Sequence, residues 1–224
     1  MAHYYDHNAI RHADIFDQIY RSKYWTHGSG PGSIAAFNKP LIAYLDRFLA
    51  ANRVKRLVDF GCGDFQYMRH VNLAATEYIG LDVVPRILEE NRKNFGREGI
   101  TFEETPDDLT ELPGGDLLLL KDVLIHLPNS YIAPLLQHAR RTYRFVLAIN
   151  NESDDASAYN RDIAVGEFRP VDISLAPFSL PSATIFHYGA ARMLDPTLPR
   201  VLAMATRKFV WPGKKHVQLC ITGI

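Results

Sequence analysis

The spacing of apolar residues changes along the 224-residue chain. Helical spacing near the N-terminus predicts one amphipathic helix around 15–20 and a second after Asn38, with Pro40 in its first turn. From Arg56 onward, short apolar runs alternate with stretches of helical spacing. This alternation predicts strands at 56–61, 78–83, 100–103, 116–123 and 144–150, with helices at 65–74, 85–95 and 129–142.

This alternation is typical of an α/β fold. The four consecutive leucines 117–120 fit a strand that is buried on both faces, as a parallel sheet requires. After Asn151 the periodicity fades and prolines are scattered, which is typical of a segment packed over a functional site. Two last apolar stretches, 206–211 and 216–222, predict an antiparallel hairpin. We therefore expect a Rossmann-like, doubly wound, mostly parallel seven-stranded sheet with a C-terminal antiparallel hairpin and N-terminal helices.

The most informative local feature is a glycine turn between the first two predicted strands. The run 57–60 (Leu-Val-Asp-Phe) leads into 61–64 (Gly-Cys-Gly-Asp), and the second strand ends at Asp82. Glycines let the backbone approach a ligand closely, and an acid at the next strand end can accept hydrogen bonds from ribose hydroxyls. The pattern predicts an adenosine-containing ligand at the carboxyl edge of the sheet. Its predicted binding residues here are Asp59, Gly61, Gly63, Asp64, Asp82 and Val83.

Two positions favour one adenosine ligand over another. A dinucleotide fingerprint has a third glycine where this chain has Gln66, and Asp64 places a carboxylate where pyrophosphate would lie. The carboxylates of Asp59 and Asp64 suit the ammonium group of S-adenosylmethionine, whose sulfonium is also positive. The sequence therefore favours S-adenosylmethionine over a nicotinamide dinucleotide.

The stretch of roughly 55–150 resembles the class I S-adenosylmethionine-dependent methyltransferases. Residues 58–63 are similar to their first motif, and Asp82 is similar to the ribose-binding acid of the second. Residues 121–128 (Lys-Asp-Val-Leu-Ile-His-Leu-Pro) resemble a segment that many of them carry after the fourth strand. Phe65 departs from the pattern, because many members have glycine there.

A further resemblance, to a subgroup of small bacterial methyltransferases with an N-terminal lid, rests on 16–33, Asn160, Gly166, Arg169 and 177–181. It implies one methyltransferase domain over 1–224. We divide that domain into a helical lid (1–52), a cofactor-binding core (53–151), a substrate excursion (152–205) and terminal strands (206–224).

Methyl transfer to a hydroxyl needs a base, and His126 is the candidate because it follows the fourth strand at the ligand-binding edge. Two alternatives are open: His126 lines the pocket without proton transfer, or it only orders its turn. Further acid/base candidates are His187 and Tyr188. Lys121 and Asp122 lie at the same strand end and are predicted to contact the cofactor.

The remaining candidate residues are predicted to bind either the cofactor or the methyl acceptor. Asp107 or Asp108 is expected to accept from the adenine amine, and Trp25 with the glycines that follow is expected to close over the cofactor. Asn150, Asn151, Asn160 and Arg169 are predicted to bind a polar substrate, of anionic or sugar-like chemistry; each alone also suits a structural role.

Charge and cysteine content narrow the function further. The 25 Lys and Arg residues balance 25 Asp and Glu, which argues against a nucleic-acid binder with a broad basic field. Two cysteines are too few for a disulfide framework and favour the reducing cytoplasm. No apolar run approaches the ~18 residues of a membrane span. His3 and His7 lack further ligands at usual spacing, so we expect metal-independent chemistry.

The sequence thus predicts methyl transfer from S-adenosylmethionine to a small polar acceptor, with an oxygen of a sugar or related metabolite as first choice. The alternatives are a nicotinamide-dependent oxidoreductase, a non-catalytic S-adenosylmethionine-binding regulatory partner, and an RNA methyltransferase. NADH binding without S-adenosylmethionine binding would establish the first alternative. The sequence does not indicate an oligomeric state.

Overall fold

The computed structural model describes residues 11–25, 28–189 and 214–222. Seven strands of the described chain form one sheet, in the order β3-β2-β1-β4-β5-β7-β6. Neighbouring strands are parallel except that β7 runs antiparallel to both β5 and β6. The predicted Rossmann-like, doubly wound sheet is confirmed. The strands are β1 (Arg56–Phe60), β2 (Glu77–Asp82), β3 (Ile100–Glu104), β4 (Gly115–Lys121), β5 (Tyr143–Asn151), β6 (Ala183–Tyr188) and β7 (Lys215–Ile221).

Helices cover both faces of the sheet, which is why the middle of its central strand, β4, is a continuous apolar run of four leucines. Leu117 and Leu119 of β4 belong to one apolar cluster with helix α2 (Lys39–Asn52), whereas Leu118 and Leu120 belong to a second cluster with helix α4 (Asn129–Thr142). All four leucines are fully buried. The longer helices are α1 (His12–Arg21), α2 (Lys39–Asn52), α3 (Pro85–Phe95) and α4 (Asn129–Thr142).

One predicted helix is wrong. Residues 65–74 contain only a short 3₁₀ turn at Met68–His70, because Phe65 adopts the left-handed conformation with φ of +58°. Tyr67 and Val71 are nevertheless buried. The apolar residues of this stretch are therefore buried without forming a helix, although their spacing in the sequence is that of an amphipathic helix.

The sixth strand lies where the sequence predicted irregular chain. β6 occupies part of the expected excursion, and it pairs with β7 in antiparallel register from Ala183↔Leu219 to Tyr188↔Lys215. The predicted strand 206–211 lies outside the described residues. β6 begins two residues after Pro181 and consists of Ala-Thr-Ile-Phe-His-Tyr, a β-branched and aromatic composition typical of strands.

The rest of the excursion packs against the sheet. Val171, Ile173 and Leu180 are buried in the same apolar cluster as α4. Among the helices that the structure describes, none is long and apolar enough to cross a membrane.

Candidate active site

The glycine turn after β1 presents bare backbone to the carboxyl edge of the sheet. Gly61 and Gly63 have φ of +75° and +55°, and the Gly61 amide donates to the Leu81 carbonyl at 2.8 Å. A Cβ on Gly61 would lie 2.6 Å from Cγ2 of Val123. Both the conformation and the space at this position therefore require glycine.

Phe65 continues this turn with φ of +58°, a conformation that a non-glycine residue adopts at a cost. Its ring is 1% exposed and lies 5.1 Å, centroid to centroid, from the rings of both Tyr78 and Phe102. This packing stabilises the left-handed backbone at the position where the resembled family often has glycine.

Asp82 ends β2 beside the glycine turn. Its two carboxylate oxygens accept from the amides of Gly63 and Val84, each at 3.0 Å. Burial raises the pKa of Asp82, and these amide donors counteract that effect. The carboxylate is thus fixed at the strand end by backbone donors from two sides.

A cavity of about 720 Å³ opens above this edge, within the size range of small-molecule sites. It brings together residues from β1, β2, β4 and β5 with residues from α1 and the N-terminal turn. The predicted site residues that line it are Trp25, Gly61, Gly63, Asp82, Val83, Lys121, Asp122, His126 and Asn151.

The segment Gly28–Ser33, here called the lid segment, lies directly on the glycine turn. The Ser29 amide donates to Oδ2 of Asp64 at 3.1 Å, and the Asp64 amide donates to Oγ of Ser29 at 2.8 Å. A Cβ on Gly28 would lie 1.9 Å from the same Asp64 oxygen. Asp64 therefore holds the lid segment instead of lining the cavity.

The other end of the lid segment meets a lysine–aspartate cluster formed by Lys121, Asp122 and Lys215. Nζ of Lys121 donates to Oδ2 of Asp122 at 2.6 Å and to the Gly32 carbonyl at 2.9 Å. Nζ of Lys215 donates to Oδ1 of Asp122. Burial alone would raise the pKa of Asp122, but the two ammonium groups outweigh it and hold the pKa well below its usual range.

His126 lies in a 3₁₀ turn, Leu124–His126, just after β4. Its Nδ1 is 2.8 Å from the Glu167 carbonyl oxygen. Because a carbonyl only accepts, Nδ1 carries the proton and Nε2 of the neutral ring is the basic nitrogen. Burial lowers the pKa of His126, so the ring is neutral at pH 7 and able to take a proton.

Aromatic rings surround His126 in the cavity. The Trp25 ring lies 5.1 Å from the His126 ring, and the Phe168 ring lies 6.2 Å from it. Trp25 in turn meets the Tyr20 ring edge-on at 5.3 Å. The predicted Trp25 is thus part of the cavity wall beside the candidate base.

Asp59 does not line the cavity. It is 1% exposed and accepts from the Tyr78 hydroxyl at 2.8 Å. Burial raises the pKa of Asp59 to about 7. Its contact with a cofactor ammonium remains a prediction, and its described contact is with β2.

Replacing Asp59 with asparagine should stabilise the fold most at alkaline pH. The folded protein keeps a proton on Asp59 at pH values where the unfolded chain, with a pKa near 3.9, has lost it. Stability from this residue is therefore present at low pH and falls as pH rises to about 7. Asparagine stays neutral and still accepts from Tyr78, so we expect Asp59→Asn to gain ~1–3 kcal/mol at pH 8, about 3–10 °C in Tm.

Thermal unfolding at pH 5 and pH 8 checks this expectation. Asp154 is exposed, so Asp154→Asn serves as the control and should change Tm little at either pH. An equal gain for Asp59→Asn at both pH values would contradict the prediction.

The two acids predicted to contact adenine lie outside the cavity wall. Asp108 is exposed and accepts from the amide and hydroxyl of Thr110, at 2.8 and 2.7 Å. Burial lowers the pKa of His12 and raises that of Tyr131, and the negative charge of Asp107 acts upward on both; both of these residues line the cavity. Of the two acids, Asp107 is the one electrostatically coupled to the site.

Arg169 and Asn160, predicted to bind substrate, do not line the cavity. The Arg169 guanidinium is 1% exposed and donates to the carbonyls of Leu124 and Leu127. The Asn160 amide donates to the Asp172 carbonyl at 2.8 Å. Their described contacts are structural, and Arg169 positions the turn that carries His126.

Asn150 and Asn151 end β5 and differ in their surroundings. Asn151 lines the cavity and accepts from Nζ of Lys215 at 3.2 Å. Asn150 is fully buried, and neither Nδ2 nor Oδ1 of its side chain has a hydrogen-bond partner among the described residues. Tyr188 and His187 are outside the cavity wall; His187 contacts Glu152.

Two residues of the site, Ser29 and Lys215, were not predicted from the sequence. In the sequence, Ser29 stands out only as part of a Gly-Ser run. A serine hydroxyl is nevertheless a suitable acceptor for a free backbone amide of the glycine turn, such as that of Asp64. Lys215 was omitted although it opens an antiparallel strand, whose first residue lies at the carboxyl edge of the parallel strands. Across 11–25, 28–189 and 214–222, no three His, Cys, Asp or Glu side chains are grouped to hold a metal ion.

Neither a family model nor a curated protein matches the sequence. Solved structures do match the fold. Magnesium protoporphyrin IX methyltransferase from Synechocystis PCC 6803, with bound SAM, aligns at TM-score 0.59 and 13% identity over 97% of this chain and 100% of that one.

Two further structures share the fold. Human N-acetylserotonin methyltransferase in complex with SAM aligns at TM-score 0.56 and 15% identity, over 96% of this chain and 61% of that one. N-methyltransferase NodS from Bradyrhizobium japonicum WM9, with S-adenosyl-L-homocysteine, aligns at TM-score 0.56 and 11% identity, over 84% and 88%. The chain therefore has the class I methyltransferase fold.

Proposed function

We propose that this protein transfers a methyl group from S-adenosylmethionine to a small polar acceptor, an oxygen of a sugar or related metabolite. The observation that carries the proposal is that a bare glycine turn, the Asp82 carboxylate and the neutral His126 share one cavity at the carboxyl edge of the sheet. The structural neighbours with bound S-adenosylmethionine or S-adenosylhomocysteine support the choice of cofactor.

The residues present fit this cofactor. Asp82 offers a carboxylate for the two ribose hydroxyls, and Val83 and Tyr131 supply apolar cavity wall nearby. Gly61 and Gly63 leave the backbone open to close approach. When bound, S-adenosylmethionine supplies a methyl group on a positively charged sulfur, whose carbon–sulfur electron pair leaves with the sulfur.

The chain's own residues supply placement and proton transfer. The lid segment and Trp25 cover the site and exclude water, and alignment of reactants alone can contribute on the order of 7–11 kcal/mol. Nε2 of His126 takes the proton of the acceptor hydroxyl as its oxygen forms the new bond to carbon. Nδ1 stays bound to the Glu167 carbonyl, so the resulting imidazolium is stabilised where it forms.

The proposed acceptor class depends on the site residues, because the fold alone does not determine it. The structural neighbours include a magnesium protoporphyrin IX methyltransferase, an N-acetylserotonin methyltransferase and an N-methyltransferase, so this fold serves different acceptors. A half-buried, neutral histidine in the cavity wall is the feature that favours an oxygen acceptor, because a hydroxyl must lose a proton. Cys62 and Cys220 are buried and free, which suits a cytoplasmic location.

Calorimetric titration of the purified protein with S-adenosylhomocysteine tests the cofactor. We expect a micromolar or tighter dissociation constant and no comparable binding of NADH. Transfer of labelled methyl from S-adenosylmethionine to a panel of sugars, sugar acids and hydroxy acids then tests the acceptor. NADH binding in place of S-adenosylhomocysteine, or saturable cofactor binding with no methyl transfer to any hydroxyl compound, would contradict the respective part.

A further inference from the structure

Lys215 occupies a distinctive place in the cavity wall. It opens β7 opposite Asn151 of β5, and its side chain is only 4% exposed. In the sheet order β1-β4-β5-β7, its backbone is three strands from the glycine turn, about 14 Å at the usual strand spacing, but its side chain reaches back to contact Asp122, just after β4, and Asn151, at the end of β5. The Lys215 ammonium therefore lies where β4 and β5 end, whereas the glycine turn and Asp82 lie where β1 and β2 end.

The two lysines of the cluster differ in how fully their hydrogen-bonding capacity is used. Lys121 donates to Asp122 and to the Gly32 carbonyl, and its ammonium packs 4.9 Å from the centre of the Tyr67 ring. Lys215 donates to Asp122 and Asn151. An ammonium has three donors, so Lys215 keeps one N–H without a partner in the described part of the chain.

The net charge of the lysine–aspartate cluster also favours an additional hydrogen-bond acceptor at Lys215. Asp122 is the carboxylate that both ammonium groups share, so the cluster has a net charge of +1. Lys121 is also close enough to Asp59 to affect its pKa, whereas the carboxylate that acts on Lys215 is Asp122 alone. A buried cation without its own counter-ion is costly, and an anionic ligand at Lys215 would balance it.

The Lys215 ammonium shares its cavity with the candidate base. Lys215 and His126 line the same cavity, and the charge of Lys215 reaches the His126 ring. A Cβ on Gly32 would lie 3.7 Å from Nζ of Lys215, so the lid segment covers the lysine. An anion bound at Lys215 would be enclosed beside the candidate base.

We propose that Lys215 binds a carboxylate or phosphate group of the methyl acceptor, so that the enzyme selects anionic small molecules over neutral ones. This inference rests on the proposed function and makes its acceptor class narrower. Arg169, the cation that the sequence suggested for such a role, is occupied by backbone carbonyls. Lys215 takes its place as the specificity-determining residue.

The test uses the whole 224-residue chain, saturated with S-adenosylhomocysteine and titrated with acetate, acetamide and inorganic phosphate. Acetate and acetamide have nearly the same shape but differ in charge. We expect acetate or phosphate to bind and acetamide to bind at least ten-fold more weakly. Lys215→Gln should weaken the anion by about ten-fold or more, and Lys215→Arg should retain most of the binding.

Other outcomes overturn the inference. Equal binding of acetate and acetamide to the wild-type complex, or no binding of either anion, would exclude an anion site at Lys215; this comparison needs no variant to fold. A loss of S-adenosylhomocysteine affinity in Lys215→Gln would assign the lysine to the cofactor's carboxylate. Failure of the wild-type protein to bind S-adenosylhomocysteine at all would instead refute the proposed function, and this inference with it.

Discussion

His126→Ala should lower the methyl-transfer rate by about 10²–10⁴-fold, the usual contribution of a positioned base, while the dissociation constant for S-adenosylhomocysteine stays within about three-fold of wild type. Nδ1 of His126 is held by the Glu167 carbonyl, so Nε2 is the ring nitrogen available for proton transfer. The measurement is single-turnover transfer of labelled methyl to an acceptor found in the panel, with calorimetry for the cofactor.

A second variant separates proton transfer from structure. Asparagine keeps an N–H near the position of Nδ1 but has no counterpart of Nε2, so His126→Asn should preserve the contact to Glu167 and remain as slow as His126→Ala. His70 is exposed and outside the cavity wall, and His70→Ala should keep the wild-type rate. Recovery of the rate in His126→Asn would assign His126 to ordering its turn.

The pH profile gives an independent check on the same residue. Burial lowers the pKa of His126 below 6.5, so the basic form persists as pH falls through neutrality. We expect the rate to fall only on the acid side of the ordinary histidine pKa, because protonation removes the base. The same acid limb should be absent from the residual activity of His126→Ala.

Local features of the site were predictable from the sequence, because short-range rules govern them. Gly61 and Gly63 follow an apolar strand, and Asp82 ends the neighbouring parallel strand. Parallel strands place their carboxyl ends at one edge, so these residues had to meet. His126 followed the same rule, since it comes just after β4.

Features that depend on distant partners were not predictable. Lys215 and Asp122 are 93 positions apart, and no sequence pattern around either residue predicts their ion pair. Arg169 illustrates the reverse case: a cation in a polar loop suggested a ligand, but carbonyls 42 and 45 positions away bind it. The helix expected at 65–74 failed because the left-handed backbone of Phe65 is stabilised by rings from two other strands.

Asp82→Ala should weaken cofactor binding severely and leave the fold intact. A carboxylate that accepts from two ribose hydroxyls makes two charge-assisted hydrogen bonds, each worth ~1.5–3 kcal/mol, so the affinity for S-adenosylhomocysteine should fall by roughly 10²–10⁴-fold. Burial raises the pKa of Asp82, which means that removing its charge relieves part of a desolvation cost. Calorimetry measures the affinity, and thermal unfolding confirms that the variant folds.

Two matched variants make the result specific to the ribose contact. Asp82→Asn keeps the shape and one acceptor for the Gly63 or Val84 amide, but it loses the second acceptor, so its affinity should lie between wild type and Asp82→Ala. Glu104 ends the next strand and is exposed, and Glu104→Gln should bind like wild type.

Because a raised pKa brings protonation of Asp82 closer to neutrality, wild-type affinity should weaken as pH falls, and that dependence should be missing in Asp82→Asn. Unchanged binding in Asp82→Ala would place the nucleoside elsewhere and remove the basis of the proposed function.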